Sequence, residues 1–148
     1  FGSCGELISD MKKGAFIKPT EAYRDEGTRY HYMPVSDFVK VKTATRLEEI
    51  FKKKNINYEL TKTWTTDALY KETRNKIKKR IKSGCKVVEM ECASVMAVAN
   101  SRNINAYQFL YSDDTLVGEA WDIRTLKEDR SFILKECLKI ATEIVKEI

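Results

Sequence analysis

A chain of 148 residues with 43% hydrophobic and 33% charged residues has the size and composition of one soluble domain with a core of its own. It contains no apolar run of about 18 residues and no basic-then-apolar leader pattern, so neither a membrane span nor a secretory signal is expected, and the location expected is cytoplasmic. The formal net charge of +5 comes largely from Lys76, Lys78, Lys79, Arg80 and Lys82, which read as one solvated helix face. No nucleic-acid motif accompanies them, so nucleic acid is not an expected partner.

The elements alternate along the chain. "FGSCGEL" opens it as a glycine turn. Residues 14–18 read as a short strand, followed by a long polar and aromatic loop over 19–36. A helix is predicted at 44–54, where Leu47, Ile50 and Phe51 share a face and Thr45 with Glu48 offers a capping box. A strand near 56–62 leads into the loop "TWTTDALYKET". A helix over 70–82 is closed by Gly84. Cys85 to Met90 is a continuous apolar strand, 91–102 an apolar helix, and 104–111 a further strand. The loop "SDDTLVGEAWDIRT" then leads to a terminal helix over 126–147, with Ile133, Cys137, Ile140, Ala141, Ile144 and Val145 on its core face. No internal repeat or linker interrupts this order.

Strands alternating with helices predict an α/β domain with a mostly parallel, mixed sheet covered by helices on both faces. Ligands in such folds bind beyond the carboxyl ends of strands. Polar residues gather at three such ends: Ser3; Glu89 and Glu91; and Asp113 and Asp114. The two glutamates are the most pointed, because carboxylates set in an apolar run need a partner or a purpose. Strand alternation would put Glu89 and Glu91 on one face and Met90 on the other. The four cysteines (Cys4, Cys85, Cys92 and Cys137) form no C-x-x-C pair and there is one histidine, so no metal site is expected.

In this order, "GSCG", "RDEGTRYHYMP", "TWTTDALYKET", "VVEMECASVMAVA" and "FLYSDD" resemble the nucleoside phosphorylase family, which includes purine nucleoside phosphorylases, uridine phosphorylases and related nucleosidases. The resemblance runs over essentially the whole chain, and V-E-M-E-x-A is its most specific segment. It implies a three-layer α/β fold and attack of phosphate on C1′ of a nucleoside, giving a free base and ribose 1-phosphate. Catalysis of that kind is largely positioning and electrostatics. By the same resemblance, Glu91 grips the ribose 2′- and 3′-hydroxyls, Met90 packs on the sugar and Glu89 lies nearby. Ser3 contacts phosphate, Cys4 and Gly5 meet the base, and Tyr30 and Arg24 come from a base-facing loop. Asp113 protonates the leaving base with help from Arg130.

The segment after Ser112-Asp113 departs from the purine-enzyme pattern, and Trp121-Asp122-x-Arg124 is similar to a uridine-phosphorylase-like branch, so Asp114 is the alternative acid. Purine is favoured over uridine as substrate, with hydrolysis by water a third reaction. The family carries more chain before Ser3, including early strands and phosphate-binding arginines, so the sheet is expected to lack its first strands. The chain is then a portion of a working phosphorylase, one completed by a separate chain, or an inactive relative that binds and assembles. Nucleoside and phosphate are the partners implied, with self-association as dimer or hexamer. No metal or organic cofactor is implied; phosphate is a co-substrate.

Overall fold

The computed structural model describes residues 1–12, 15–123 and 130–148. Its described elements are β1 (Gly2–Glu6), β2 (Phe16–Asp25), α1 (Arg29–Tyr32), β3 (Phe38–Lys40), α2 (Ala44–Lys53), β4 (Tyr58–Thr66), α3 (Arg74–Lys82), β5 (Cys85–Glu89), α4 (Cys92–Arg102), β6 (Leu110–Thr115) and α5 (Ser131–Val145). The mixed α/β architecture is the one expected from the sequence. The six described strands run in the order β3-β2-β4-β5-β1-β6. β2, β4 and β5 are mutually parallel, and β1 is antiparallel to β5 but parallel to β6. β6 returns to β2 through the antiparallel pair Ile17↔Leu110. The sheet therefore curls until five strands close a ring, and closure leaves those strands fewer open edges.

Four ring strands contribute one residue each to a cluster inside it: Cys4, Ile17, Val87 and Leu110. α4 covers the β2–β3 end of the sheet, burying Cys92, Ala93 and Met96 against Ala22, Val39 and Val41. α3 packs elsewhere, placing Ile77 against Trp64, Cys85 and Val88. α2 and α5 bury Leu47, Ile50, Phe51, Cys137, Ile140 and Ile144 against Phe109 and Tyr111. α2 and α5 each present an apolar stripe and leave the polar one in water, which is where most of their stability comes from.

Several local expectations need correction. The opening glycine segment is a strand, not a turn, and β2 runs on to Asp25 through residues expected to form a loop. A register shift between Pro19 and Glu21 accommodates the proline, which cannot donate to a ladder. β4 likewise continues through Thr63, Trp64, Thr65 and Thr66, a β-branched and aromatic run suited to a strand. Thr43, not Thr45, stands at the start of α2 without a side-chain cap, and Glu48 is engaged instead by Lys52 at 2.9 Å and Lys18 at 3.5 Å. α3 begins at Arg74, behind the Thr73 cap, and Gly84 does close it, with φ of +91°. Val145 is exposed rather than on the core face. The expected helix start at 126, together with Arg124 and Gly14, lies outside the described residues.

Candidate active site

Glu89 ends β5, and Glu91 is the residue that caps α4. The chain turns between them, so strand alternation no longer applies. Glu89 is buried, whereas Met90 and Glu91 are both exposed. Oε1 of Glu89 accepts from Thr63 Oγ1 at 3.2 Å and Thr65 Oγ1 at 2.5 Å. Oε2 accepts from the backbone N–H groups of Glu91 at 2.9 Å and Cys92 at 2.6 Å. Thr65 Oγ1 in turn accepts from Ala93 N–H at 2.9 Å. The carboxyl group thus satisfies donors that the first turn of a helix otherwise leaves orphaned. Burial pushes its pKa up, while these four hydrogen bonds pull against that. The Glu91 carboxylate forms no hydrogen bond or ion pair with any described residue, so both its oxygens remain available to a ligand.

Glu91 and Ser3 stand between two adjoining cavities. One, of about 500 Å³, is walled by Gly2, Ser3, Glu91, Tyr107 and Gln108 among others. The other, of about 310 Å³, is walled by Ser3, Cys4, Gly5, Met90, Glu91 and Asp114, with Leu69, Glu72 and Trp121. The structure therefore brings Ser3, Cys4, Gly5, Glu89, Met90, Glu91 and Asp114 to one place, although they come from β1, the β5–α4 junction and β6.

The two aspartates diverge because β6 is bulged. Cys4 pairs with Ser112 and Gly5 with Asp114, so Asp113 is the extra residue. Asp113 is buried and ion-paired to Arg130 at the start of α5, and it is not in the wall of these two cavities. Asp114 lies over Gly5, where a Cβ would stand 2.9 Å from Asp114 Oδ1; its Oδ2 accepts from the Trp121 indole N–H. Cys4 is surrounded by Glu89, Asp114, Glu6 and Asp113, and burial with these charges pushes its thiol well up, which makes it inert.

Tyr30 and Arg24 do not join this group. They share a separate cavity of about 340 Å³ with Arg29, Met33 and Pro34. Arg24 is buried, and its guanidinium donates to the Pro34 carbonyl at 2.8 Å, Ser36 Oγ at 2.6 Å and the Arg29 carbonyl at 3.0 Å. It staples the loop after α1 rather than facing the ring. Sequence reasoning passed over Glu72 and used Trp121 only as a mark of the uridine-phosphorylase-like branch, giving neither a place in the site. Only the approach of β6 and of the segment before α3 gives them a role.

A model of the phosphorylase superfamily matches residues 1–148. The chain belongs to that superfamily, whose members include nucleoside phosphorylases and nucleosidases. Among its relatives are DeoD-type purine nucleoside phosphorylases of Bacillus cereus, 26% identical over 146 residues, and of Bacillus cytotoxicus, 27% identical over the same length. Each alignment covers 96% of this chain and 60% of the relative, so the chain spans about 60% of the length of these proteins. Among solved structures, an AMP nucleosidase from Bacteroides thetaiotaomicron superposes with a TM-score of 0.74 at 19% identity, covering 98% of this chain and 57% of that one. A Plasmodium knowlesi homologue of the P. falciparum purine nucleoside phosphorylase also gives 0.74 at 19% identity, over 97% and 58%. These structural likenesses establish the shared fold. No helix among the described residues is long and apolar enough to cross a membrane.

Proposed function

We propose that this chain carries the ribose- and base-binding part of a nucleoside phosphorylase, purine-leaning, that transfers ribose from a nucleoside to phosphate. The observation that carries the reading is the Glu91 carboxylate, unengaged by any described residue and standing between two cavities. A vicinal diol offers two donors, and one carboxylate accepts both. Ribose held there would place its C1′ side toward Cys4, Gly5 and Asp114, with Met90 against the sugar. Ser3, at the boundary of the two cavities, is the phosphate contact. As the bond to the base breaks, positive charge grows on the sugar ring, and the surrounding carboxylates favour it. The base leaves more easily when protonated. Asp113 with Arg130 is the family-pattern candidate for that proton, and Asp114, the one of the two that lines the cavity, is the alternative.

A second reading is a hydrolytic nucleosidase. The superfamily includes nucleosidases as well as phosphorylases, and the AMP nucleosidase of Bacteroides thetaiotaomicron shares this fold.

One assay separates the readings. Base release from inosine, adenosine and uridine is measured with and without phosphate. Phosphate-dependent release is the expected result, and the preferred nucleoside identifies the base class. Release indifferent to phosphate would favour hydrolysis. No release would overturn both for this chain.

A further inference from the structure

Glu72 lies just before α3, after a short 3-10 turn over Leu69–Lys71. Its side chain borders the 310 Å³ cavity and also a third, largely apolar one of about 230 Å³ lined by Leu69, Tyr70, Thr73, Leu116 and Trp121. That side chain makes no hydrogen bond to a described residue. Asp114 lines the same cavity, held in place by the Trp121 indole and by the close approach that Gly5 permits. Among the described residues, the other titratable groups of the cavity wall are Glu89 and Glu91 from the β5–α4 junction and Cys4 from β1.

We propose that Glu72, set against Asp114 in this wall, is the group that hands a proton to the ring nitrogen of the departing base. The inference rests on the nucleoside-cleaving reading above and gives the proton-donor role to Glu72 in place of Asp113 or Asp114. As the C1′–N bond breaks, its electron pair goes to the base nitrogen, which takes the Glu72 proton. The phosphate oxygen forms the new C1′–O bond, and the ester releases the proton that phosphate brought. Glu72, left as carboxylate, recovers a proton from solvent. Partial burial, reinforced by the Asp114 charge, lifts the Glu72 carboxyl to about 7. A neutral carboxyl group is then present at working pH, as an acid catalyst requires. The neighbouring apolar cavity offers a contact surface for a ring through Leu69 and Trp121.

The test uses free bases, which need no turnover. Hypoxanthine, adenine and uracil are titrated calorimetrically into the 148-residue chain from about pH 5.5 to about pH 8.5. If the protonated carboxyl donates to the base, affinity falls by about tenfold per pH unit above neutrality. Glu72→Gln, a permanent donor, is expected to bind with little pH dependence. Asp114→Asn, which removes the facing charge, is expected to move the midpoint to lower pH. That shift would not follow from a merely structural role. A flat profile for the wild-type chain, a Glu72→Gln profile that still falls, or no binding of any base would overturn the proposal. The two readings fail separately. Phosphate-dependent turnover with flat base binding removes Glu72 and keeps the phosphorylase. Base binding that falls with pH, without turnover, supports the Glu72 donor and removes the phosphorylase.

Discussion

Glu89→Ala isolates the part of the acidic pair that is structural. Glu89 accepts four hydrogen bonds at 2.5–3.2 Å. Three of the donors, Thr63 Oγ1, Thr65 Oγ1 and the Cys92 N–H, belong to residues that are fully buried. Each buried donor left without an acceptor costs about 1–3 kcal/mol. The three losses share one small volume and are not additive, because a water entering the space can serve some of them. The expected destabilisation is about 3–5 kcal/mol, a large share of what a domain of this size has. Glu89→Gln keeps an acceptor for the two amides but turns an amino group toward Thr65 Oγ1, which already accepts from Ala93. It is expected to cost about 1–2 kcal/mol. Urea unfolding followed by the buried Trp64 and by circular dichroism reads both values as midpoint shifts at constant slope. An alanine variant within about 1 kcal/mol of wild type, with nucleoside binding lost, would refute the reasoning. Glu89 would then be a ligand contact, not the cap that sets Glu91.

The remaining predictions concern the rest of the wall. Glu91→Gln is expected to leave the unfolding midpoint unchanged, since its carboxylate engages no described residue, and to weaken nucleoside binding by at least about tenfold, as loss of a charge-assisted pair of hydrogen bonds does; equilibrium dialysis with inosine checks it. Glu72 has its folded-state pKa raised to about 7 from 4.5, so its contribution to stability is full below about pH 4.5 and is lost as pH rises toward 7. Glu72→Gln should remove that slope and gain at most about 3 kcal/mol over wild type above neutrality, relative to acid, less what solvent screening takes from a partly exposed group. Gly5→Ala places a Cβ 2.9 Å from Asp114 Oδ1 and 3.0 Å from Leu116 Cδ1; a loss of about 1–3 kcal/mol in thermal or urea unfolding is expected. Arg24→Ala removes the donor that ties Pro34 and Ser36 of the loop after α1 to the Arg29 carbonyl within α1, and is expected to cost about 2–4 kcal/mol and to raise amide exchange over residues 29–36.

Much of the fold could be read from local pattern, and the reasons for the rest are physical. Leu47, Ile50 and Phe51 repeat at helical spacing, and Val87-Val88 continues an apolar strand, so these elements declare themselves. Gly84 declares a helix end because the backbone there takes positive φ. β1 does not declare itself. Its glycines look like a turn, yet Gly5 sits in a strand because only a residue without Cβ lets Asp114 lie over it. β2 hides behind Pro19 and a run of polar residues. That run is strand because one extra residue after Pro19 absorbs the break, and pairing with β4 then continues from Glu21 to Asp25.

The site divides in the same way. The motif around Glu91 is contiguous, so its chemistry travels with the sequence. The rest depends on three-dimensional neighbours. Asp113 and Asp114 are adjacent residues that a single bulge sends to different surroundings, one into an ion pair with Arg130 and one into the cavity wall. No pattern in "YSDDT" reveals which is which, because the bulge is set by pairing with β1, more than 100 positions away. Glu72 is a further step removed. In "LYKET" it is an ordinary solvent-side carboxylate before a helix. Its altered proton affinity comes only from burial beside Asp114. A carboxyl group's readiness to give up a proton is a property of its surroundings, not of its neighbours in sequence. The chemistry of this wall therefore resides in the contact of β6 with the segment before α3. A substitution at Gly5 should move the titration of Glu72, although the two residues are 67 positions apart in the chain. Adding a Cβ at Gly5 pushes Asp114 away, and Glu72 should then titrate closer to an ordinary glutamate. Carboxyl-resolved NMR of Gly5→Ala against wild type reads that shift directly. An unchanged Glu72 titration would show that burial alone, without Asp114, sets its proton affinity.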